Sequence, residues 1–526
     1  MVVVQEPRCA GCDINGACGV LLCSVKYSIH SRLTEPMRSS ASTVAWTAAI
    51  LTSALGAAIL FSVEPGINWP IWVAAASASL ILSRLVAVRR VETPLLVLVA
   101  WATVLSLGFA LTDKPFYALI VVSDAMLLGL ATITLGAERW SDLSAKLLVA
   151  VPFLAPFRVV TTTAHEVADA PSSVSSSRSR SIIKGTLLSI PLVIVLVALL
   201  GSADPVIRWS TDHMTAWLPD WSFGPRVLFF AFLLTLTLGA NSIARRQLAA
   251  KFPQYPPLGV APTVGLTEQR MMLWSAAVVL WLFVLLQASY LIHPPPAAVG
   301  TGVTFADFAR RGFGELSFAA TLVGAIILVL EYARPGEATE RERTLLRRLE
   351  LALVIALEIV LISAFRRVIL YEQAYGYTTA RVFAQAYMIV MALALTALAL
   401  EITSDRISIA FGRRVAEIAL GAFTVLVFWN FEAWIVNRNI DRAATTGKFD
   451  ARYVRQLSRD AIPTLVERRA EIPVVQRDSV MIQLGCERLP AERHWFEWNK
   501  SVAAADLALR SVQRPPCPPR GSVSLD

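Results

Sequence analysis

Between residues 41 and 436 the chain repeats one pattern: apolar windows of roughly 18 residues or more, separated by short segments that hold most of the charge. A window of that length crosses a hydrocarbon core of about 30 Å as a helix. In lipid a segment satisfies its backbone polar groups only as a helix or a closed barrel. The pattern predicts an all-α fold, a polytopic bundle of transmembrane helices in contact with the lipid bilayer. Composition agrees, since 17% of residues are charged against about 25% in soluble domains.

Spanning helices are expected at 41–62, 67–88, 94–112, 116–136, 182–201, 225–243, 271–292, 312–331, 349–366, 381–402 and 415–436, about eleven in all. Residues 145–160 are too short and carry Pro152, Pro156 and Arg158, so they are read as interfacial or re-entrant. Charge counting supports this. Arg84, Arg89 and Arg90, then Arg245, Arg246, Lys251 and Arg270, then Arg334, Arg341, Arg343, Arg347 and Arg348 all fall on the inside only if that segment does not cross. The expected organisation is a cytoplasmic extension (1–40), a four-helix transmembrane part (41–136), an interfacial segment with a Ser-rich cytoplasmic linker (137–181), a seven-helix transmembrane core (182–436) and an extracytoplasmic C-terminal tail (437–526). The expected location is the cytoplasmic membrane, with the N-terminus inside. The tail is polar, with short helical patterns such as DARYVRQL, and ends in a Pro-rich stretch that reads as disordered.

The net charge of +9 follows the positive-inside pattern of the loops. No RNP, zinc-finger or basic-helix signature accompanies it, so nucleic acid is not an expected partner. Cys9, Cys12, Cys18 and Cys23 open with C-x2-C spacing, which allows a zinc or iron-sulfur site. The plainer reading is an over-extended start, with Met37 beginning the chain proper, and no metal is expected. Cys486 and Cys517 lie on the tail, where an oxidising compartment would let them pair.

Ionised groups are costly inside a bilayer, so each needs a reason. Glu358 lies ten residues beyond Arg348, about 15 Å deep, and Asp124 eight residues from Phe116, about 12 Å. The two acids are read either as a proton-carrying pair or as neutral acids that hydrogen-bond between helices. A second group of polar residues gathers at the expected outer rim: Arg310, Arg311 and Glu315 where the eighth helix begins, and Arg366, Arg367, Tyr371, Glu372, Tyr375 and Arg381 in the following hairpin. Asn430, Glu432 and Asn439 lie at the end of the last span. Arginines beside aromatic rings suit a carboxylate or phosphate, through paired guanidinium hydrogen bonds. They also suit structural pairing, as Arg311 and Glu315 are spaced i, i+4.

Three stretches here, FADFARRGFGEL, FRRVILYEQAYGYTTAR and NIDRAATTGKFDARYVRQLSRDAIPTL, resemble the bacterial polytopic membrane family known as domain of unknown function 4173, related to 4153. The resemblance covers roughly residues 180–465 and implies a multi-pass membrane protein without an assigned activity. Where members tend to show Asn-Pro-Asp, this chain has Asn430, Phe431 and Glu432, so no proline calls for a helix break there.

Three functions stay open. A transporter of a small solute or proton follows from Asp124, Glu358 and the polar rim. A membrane-embedded transferase acting on an envelope or lipid-linked substrate would use Asp204, Asp212, His213 and Asp220 of the loop after residue 201. A sensor or assembly scaffold would use the tail to bind an envelope or membrane protein. No phosphate loop, dinucleotide fingerprint or nucleophile elbow occurs, and no cofactor is indicated.

Overall fold

Apolar runs this long favour helices, and all regular structure among the described residues of the computed structural model is helical. Those residues are 41–113, 116–133, 145–169, 223–246, 265–292, 305–332, 339–404, 411–486 and 494–512. The early cysteines, the Ser-rich linker, the expected span 182–201 and the loop holding Asp212 and His213 lie outside them.

Among the described residues six helices are long and apolar enough to cross a membrane: α1 (Ala41–Ile59), α2 (Asn68–Val88), a span Thr93–Leu111, and three more at Gly224–Arg246, Leu266–Leu286 and Thr379–Thr403. The span Thr93–Leu111 is built from α3 (Thr93–Ser106) and one turn of α4 (Gly108–Leu111). The chain is therefore a helical membrane protein, with six candidate spans among the described residues, or seven if the bent pair Phe411–Phe428 and Phe431–Thr446 counts as one. The described residues do not bear out the number of about eleven spans, and the expected span 182–201 lies outside them. The expected span 116–136 becomes α5 (Tyr117–Ile133), and its apolar part is short. Residues 145–160, expected to be interfacial or re-entrant, are the start of a continuous helix, α6 (Ala145–Asp169), which runs through Pro152 and Pro156.

By internal packing the chain forms two units. The first comprises Met1–Phe61, Ala75–Leu96 and Ala155–Leu248, with α7 (Phe223–Arg246) inside it. Several of its polar side chains pair with each other. Ser53 and Thr237 share a hydrogen bond of 2.9 Å, and Asn241 donates to Ser79 Oγ at 2.7 Å. Glu166 takes both Arg245 and Arg246 at 2.5 Å. Arg84 does not reach out to the surface: it is buried, ion-paired with Glu92, and donates to Ala244 O. Helices α6 and α7 touch at Gly239, where a Cβ would sit 2.3 Å from Val159 O.

The second unit comprises Ser62–Ala74, Val97–Leu154 and Ala249–Asp526. Its helices α8 (Leu266–Ile292), α9 (Phe305–Tyr332) and α11 (Thr379–Thr403) pack on α10 (Glu340–Tyr375). They share a core that includes Leu273, Ile327, Leu353, Leu357, Val360 and Leu395. Helix α10 has 36 residues, so at 1.5 Å each it is about 54 Å long and outreaches the expected span 349–366. A capping box between Thr339 and Glu342 starts it. The expected span 415–436 is likewise not one helix. It is α12 (Phe411–Phe428) followed by α13 (Phe431–Thr446), bent by 65°.

Beyond the bend the short helices of the tail pack into a folded element. Helix α13 shares a core with α14 (Ala451–Val454), α15 (Ile462–Glu467), α16 (Val474–Cys486) and α17 (Lys500–Arg510), through Val436, Ile440, Val454, Leu465, Val480 and Leu509. Cys486, at the end of α16, is disulfide-bonded, while Cys517 lies outside the described residues.

Candidate functional site

The break between α12 and α13 needs no proline because Asn430 makes it. Its Oδ1 accepts from Ala433 N at 2.9 Å and caps α13. Its Nδ2 donates to Asp460 O at 3.1 Å and ties the break to the C-terminal element. The third residue of the motif, Glu432, is 5% exposed. Its carboxylate accepts from Ser458 N at 2.8 Å and from the Ser458 hydroxyl. The same hydroxyl lies 3.3 Å from the Asp460 carboxylate, which also accepts from Asp113 N at 2.9 Å. Arg459 N in turn donates to Asp113 Oδ2 at 3.4 Å.

Two buried carboxyls, Glu432 and Asp460, thus meet at one serine, and the buried Asp113 carboxyl adjoins them on Arg459 N. Ser458 has a single hydroxyl proton, so it can donate to only one carboxylate at a time. The contact to Glu432 is the closer, which leaves the contact to Asp460 best served by a proton on Asp460 itself. Burial pushes the Asp460 carboxyl above its usual range, and the charge of Asp113 adds to this. A pocket of about 350 Å³ opens beside the cluster, lined by Asp113, Glu432, Arg455, Ser458 and Arg459 and on its apolar side by Leu484. That volume falls at the small end of small-molecule sites.

The outer-rim residues divide. In the hairpin between α10 and α11, Gly376 has φ +91°, a conformation open chiefly to glycine. A Cβ there would lie 2.8 Å from Asn439 Oδ1. Asn439 reads the turn as a second backbone would: Oδ1 accepts from Tyr377 N at 2.8 Å and Nδ2 donates to Tyr377 O at 2.9 Å. Arg442 donates to the carbonyls of Gln373, Ala374 and Lys448, which satisfies the open end of α10. Arg381 donates to Gly376 O and lies 4.1 Å over the Tyr371 ring, with the Tyr375 ring next to Tyr371 at 5.0 Å. Glu372 is 2% exposed, and its Oε2 accepts from Gln385 at 2.8 Å. Arg366 and Arg367 are half-buried on α10. The backbone of Arg310, Arg311 and Glu315 belongs to α9, and their side chains lie outside the described residues.

The structure brings Glu432, Asn439 and the Tyr371–Arg381 hairpin together through α13, and does not pair Asp124 with Glu358. Asp124 Oδ2 accepts from Trp69 Nε1 at 3.1 Å, a side chain from the first turn of α2, so its carboxyl lies within reach of that helix end. Glu358 accepts from Thr396 of α11 at 3.2 Å. Sequence reasoning missed Asp113, Ser458 and Asp460. Their only signal was the Ser-x-Asp of LSRDAIP, which reads as a turn.

No curated protein and no solved structure is detectably similar to the chain. A family model matches residues 99–468, and its description is Domain of unknown function (DUF4153). The match is to this relative of family 4173 rather than to 4173 itself, and it begins well before residue 180. It takes in α5, the hairpin, the helix break and the carboxyl cluster, and since it spans more than half of the sequence, the chain belongs to the DUF4153 family.

Proposed function

We propose that the chain moves a small solute across the cytoplasmic membrane with a proton as coupling ion, and that the solute is first held in the pocket beside Asp113, Glu432 and Asp460. The observation that carries the reading is the carboxyl cluster around Ser458, where hydrogen bonds hold buried acids at the bend between an apolar helix and an extramembrane element. Such a cluster can take up and release a proton when a ligand enters the adjoining pocket. The reading keeps the C-terminal element extracytoplasmic, as the charge distribution of the loops suggests. The disulfide at Cys486 fits an oxidising compartment.

Purified protein in proteoliposomes on a solid-supported membrane tests this with amino acids, amines, carboxylates and sugars at imposed pH gradients. The expected result is a solute-evoked current whose size follows the gradient and which Glu432→Gln removes while the variant keeps its helicity and elution volume. No current from any of these classes overturns the reading. A second reading, a membrane-anchored sensor, is favoured by the folded C-terminal element with its own core. It predicts ligand-induced stabilisation without flux. The transferase reading has no supporting geometry among the described residues.

A further inference from the structure

We propose that the turn from His494 to Trp498 is a lipid-docking surface, which seats the C-terminal element in the headgroup layer of the membrane. The inference rests on the chain's being a membrane protein and not on the transport reading.

Its position follows from its bonds. Trp498 O accepts from Ile67 N at 2.9 Å, one residue before α2 begins, and Glu497 Oε1 accepts from Glu64 N at 3.3 Å. The backbone lies against Gly66, where a Cβ would come within 2.5 Å of Glu497 C. On the other side Asn499 Nδ2 donates to Phe109 O at 2.8 Å and to Thr112 O at 2.7 Å, at the end of the span Thr93–Leu111. One candidate span begins and another ends at this turn, so it lies at the level where hydrocarbon gives way to water.

At that level the turn sends Glu497 inward and both of its tryptophans outward. Glu497 is buried and closes a capping box with His494, while Trp495 is 74% exposed and Trp498 48%. His494 and Lys500 are exposed on either side. Two outward indoles beside a lysine are costly in water, but they match the boundary layer of a bilayer. There the ring sits among acyl carbons, the indole N–H finds a headgroup acceptor, and the ammonium meets phosphate. The helix ends that hold the turn carry exposed Leu107 and Leu119, so apolar surface continues from the spans to the turn. This continuity favours lipid over a second copy of the chain or a protein partner.

The test is nitroxide labelling of Trp495→Cys, Trp498→Cys and His494→Cys, one at a time, in the full-length protein in nanodiscs containing anionic lipid. Other free thiols are replaced and the Cys486 disulfide is left intact. Collision rates with oxygen and with a water-soluble nickel chelate are compared with a label at Glu471, an exposed reference on the same element. The expected result is an oxygen-to-nickel ratio several-fold above the reference at 495 and 498, and an intermediate ratio at 494. Ratios equal to the reference would place the turn in water and overturn the proposal. Low collision with both reagents would show a protein contact instead and would equally overturn it.

Discussion

Asn499 is a single side chain that does two separable jobs, and this makes it the best place to test how the C-terminal element is held. It is 2% exposed. Its Oδ1 accepts from Val502 N at 3.0 Å and caps α17. Its Nδ2 serves Phe109 O, Thr112 O and, at 3.2 Å, Tyr117 OH. Asn499→Ala removes the cap, at about 1 kcal/mol, and strands the buried Phe109 carbonyl, at about 1 kcal/mol or somewhat more, while Thr112 O keeps the Tyr117 hydroxyl as donor. The sum is about 2 kcal/mol, or roughly 30-fold in a local opening equilibrium. Amide hydrogen exchange of α17, followed by mass spectrometry of the protein in detergent, reads that opening directly. Exchange in α17 should accelerate by roughly 30-fold, with α9 and α10 little changed. Asn499→Asp keeps the cap oxygen but loses the donors, so it should retain the N-terminal protection of α17 only in part. Exchange in Asn499→Ala within about threefold of wild type would refute the reasoning, since threefold is well under 1 kcal/mol.

The Asp460 carboxyl, raised by burial, binds its proton more tightly in the folded state than in the unfolded one. Folding is therefore favoured as pH falls through the folded-state value, and the gain is complete below the unfolded value of about 3.9. Asp460→Asn should flatten that part of the dependence, read as the difference between wild-type and variant unfolding midpoints across a pH series, and parallel curves would refute it. Gly239→Ala places a Cβ against Val159 O and should cost about 1–3 kcal/mol through overpacking; an unchanged thermal midpoint would show that α6 and α7 can part freely. Arg442→Lys keeps the charge but cannot reach the carbonyls of Gln373, Ala374 and Lys448 together. It should raise hydrogen exchange at residues 373–377, and wild-type protection there would deny the capping role.

What was legible in the sequence is what a window of adjacent residues contains. The apolar runs marked the helices of α1, α2, α8 and α11, and the acids and asparagines of the YEQAYGYTTAR and NIDR stretches stood out because polar residues were packed closely in the chain. Whether each run is one crossing was not legible. The run 415–436 is apolar across the bend, yet Asn430 breaks it with a cap and with a bond to Asp460, thirty residues away. The carboxyl cluster was hidden for the same reason, since Asp113 and Asp460 are 347 residues apart and neither is unusual beside its neighbours. Glu432 read as an acid near a membrane end because only its own helix was in view.

The break and the cluster are not independent features that happen to adjoin. Asn430 caps α13 through its oxygen and holds the Asp460 backbone through its nitrogen, while Glu432, two residues on, holds Ser458 through both its amide and its hydroxyl. Straightening the bend would take the capping oxygen from Ala433 and would move Glu432 away from Ser458. That would leave a buried carboxyl without its donors, at a cost well above that of an ordinary hydrogen bond. The protonation state of the cluster and the angle between α12 and α13 are therefore coupled. On the proposed transport reading, a proton or ligand at Glu432 would act on a helix junction, which is where a membrane protein can convert binding into movement.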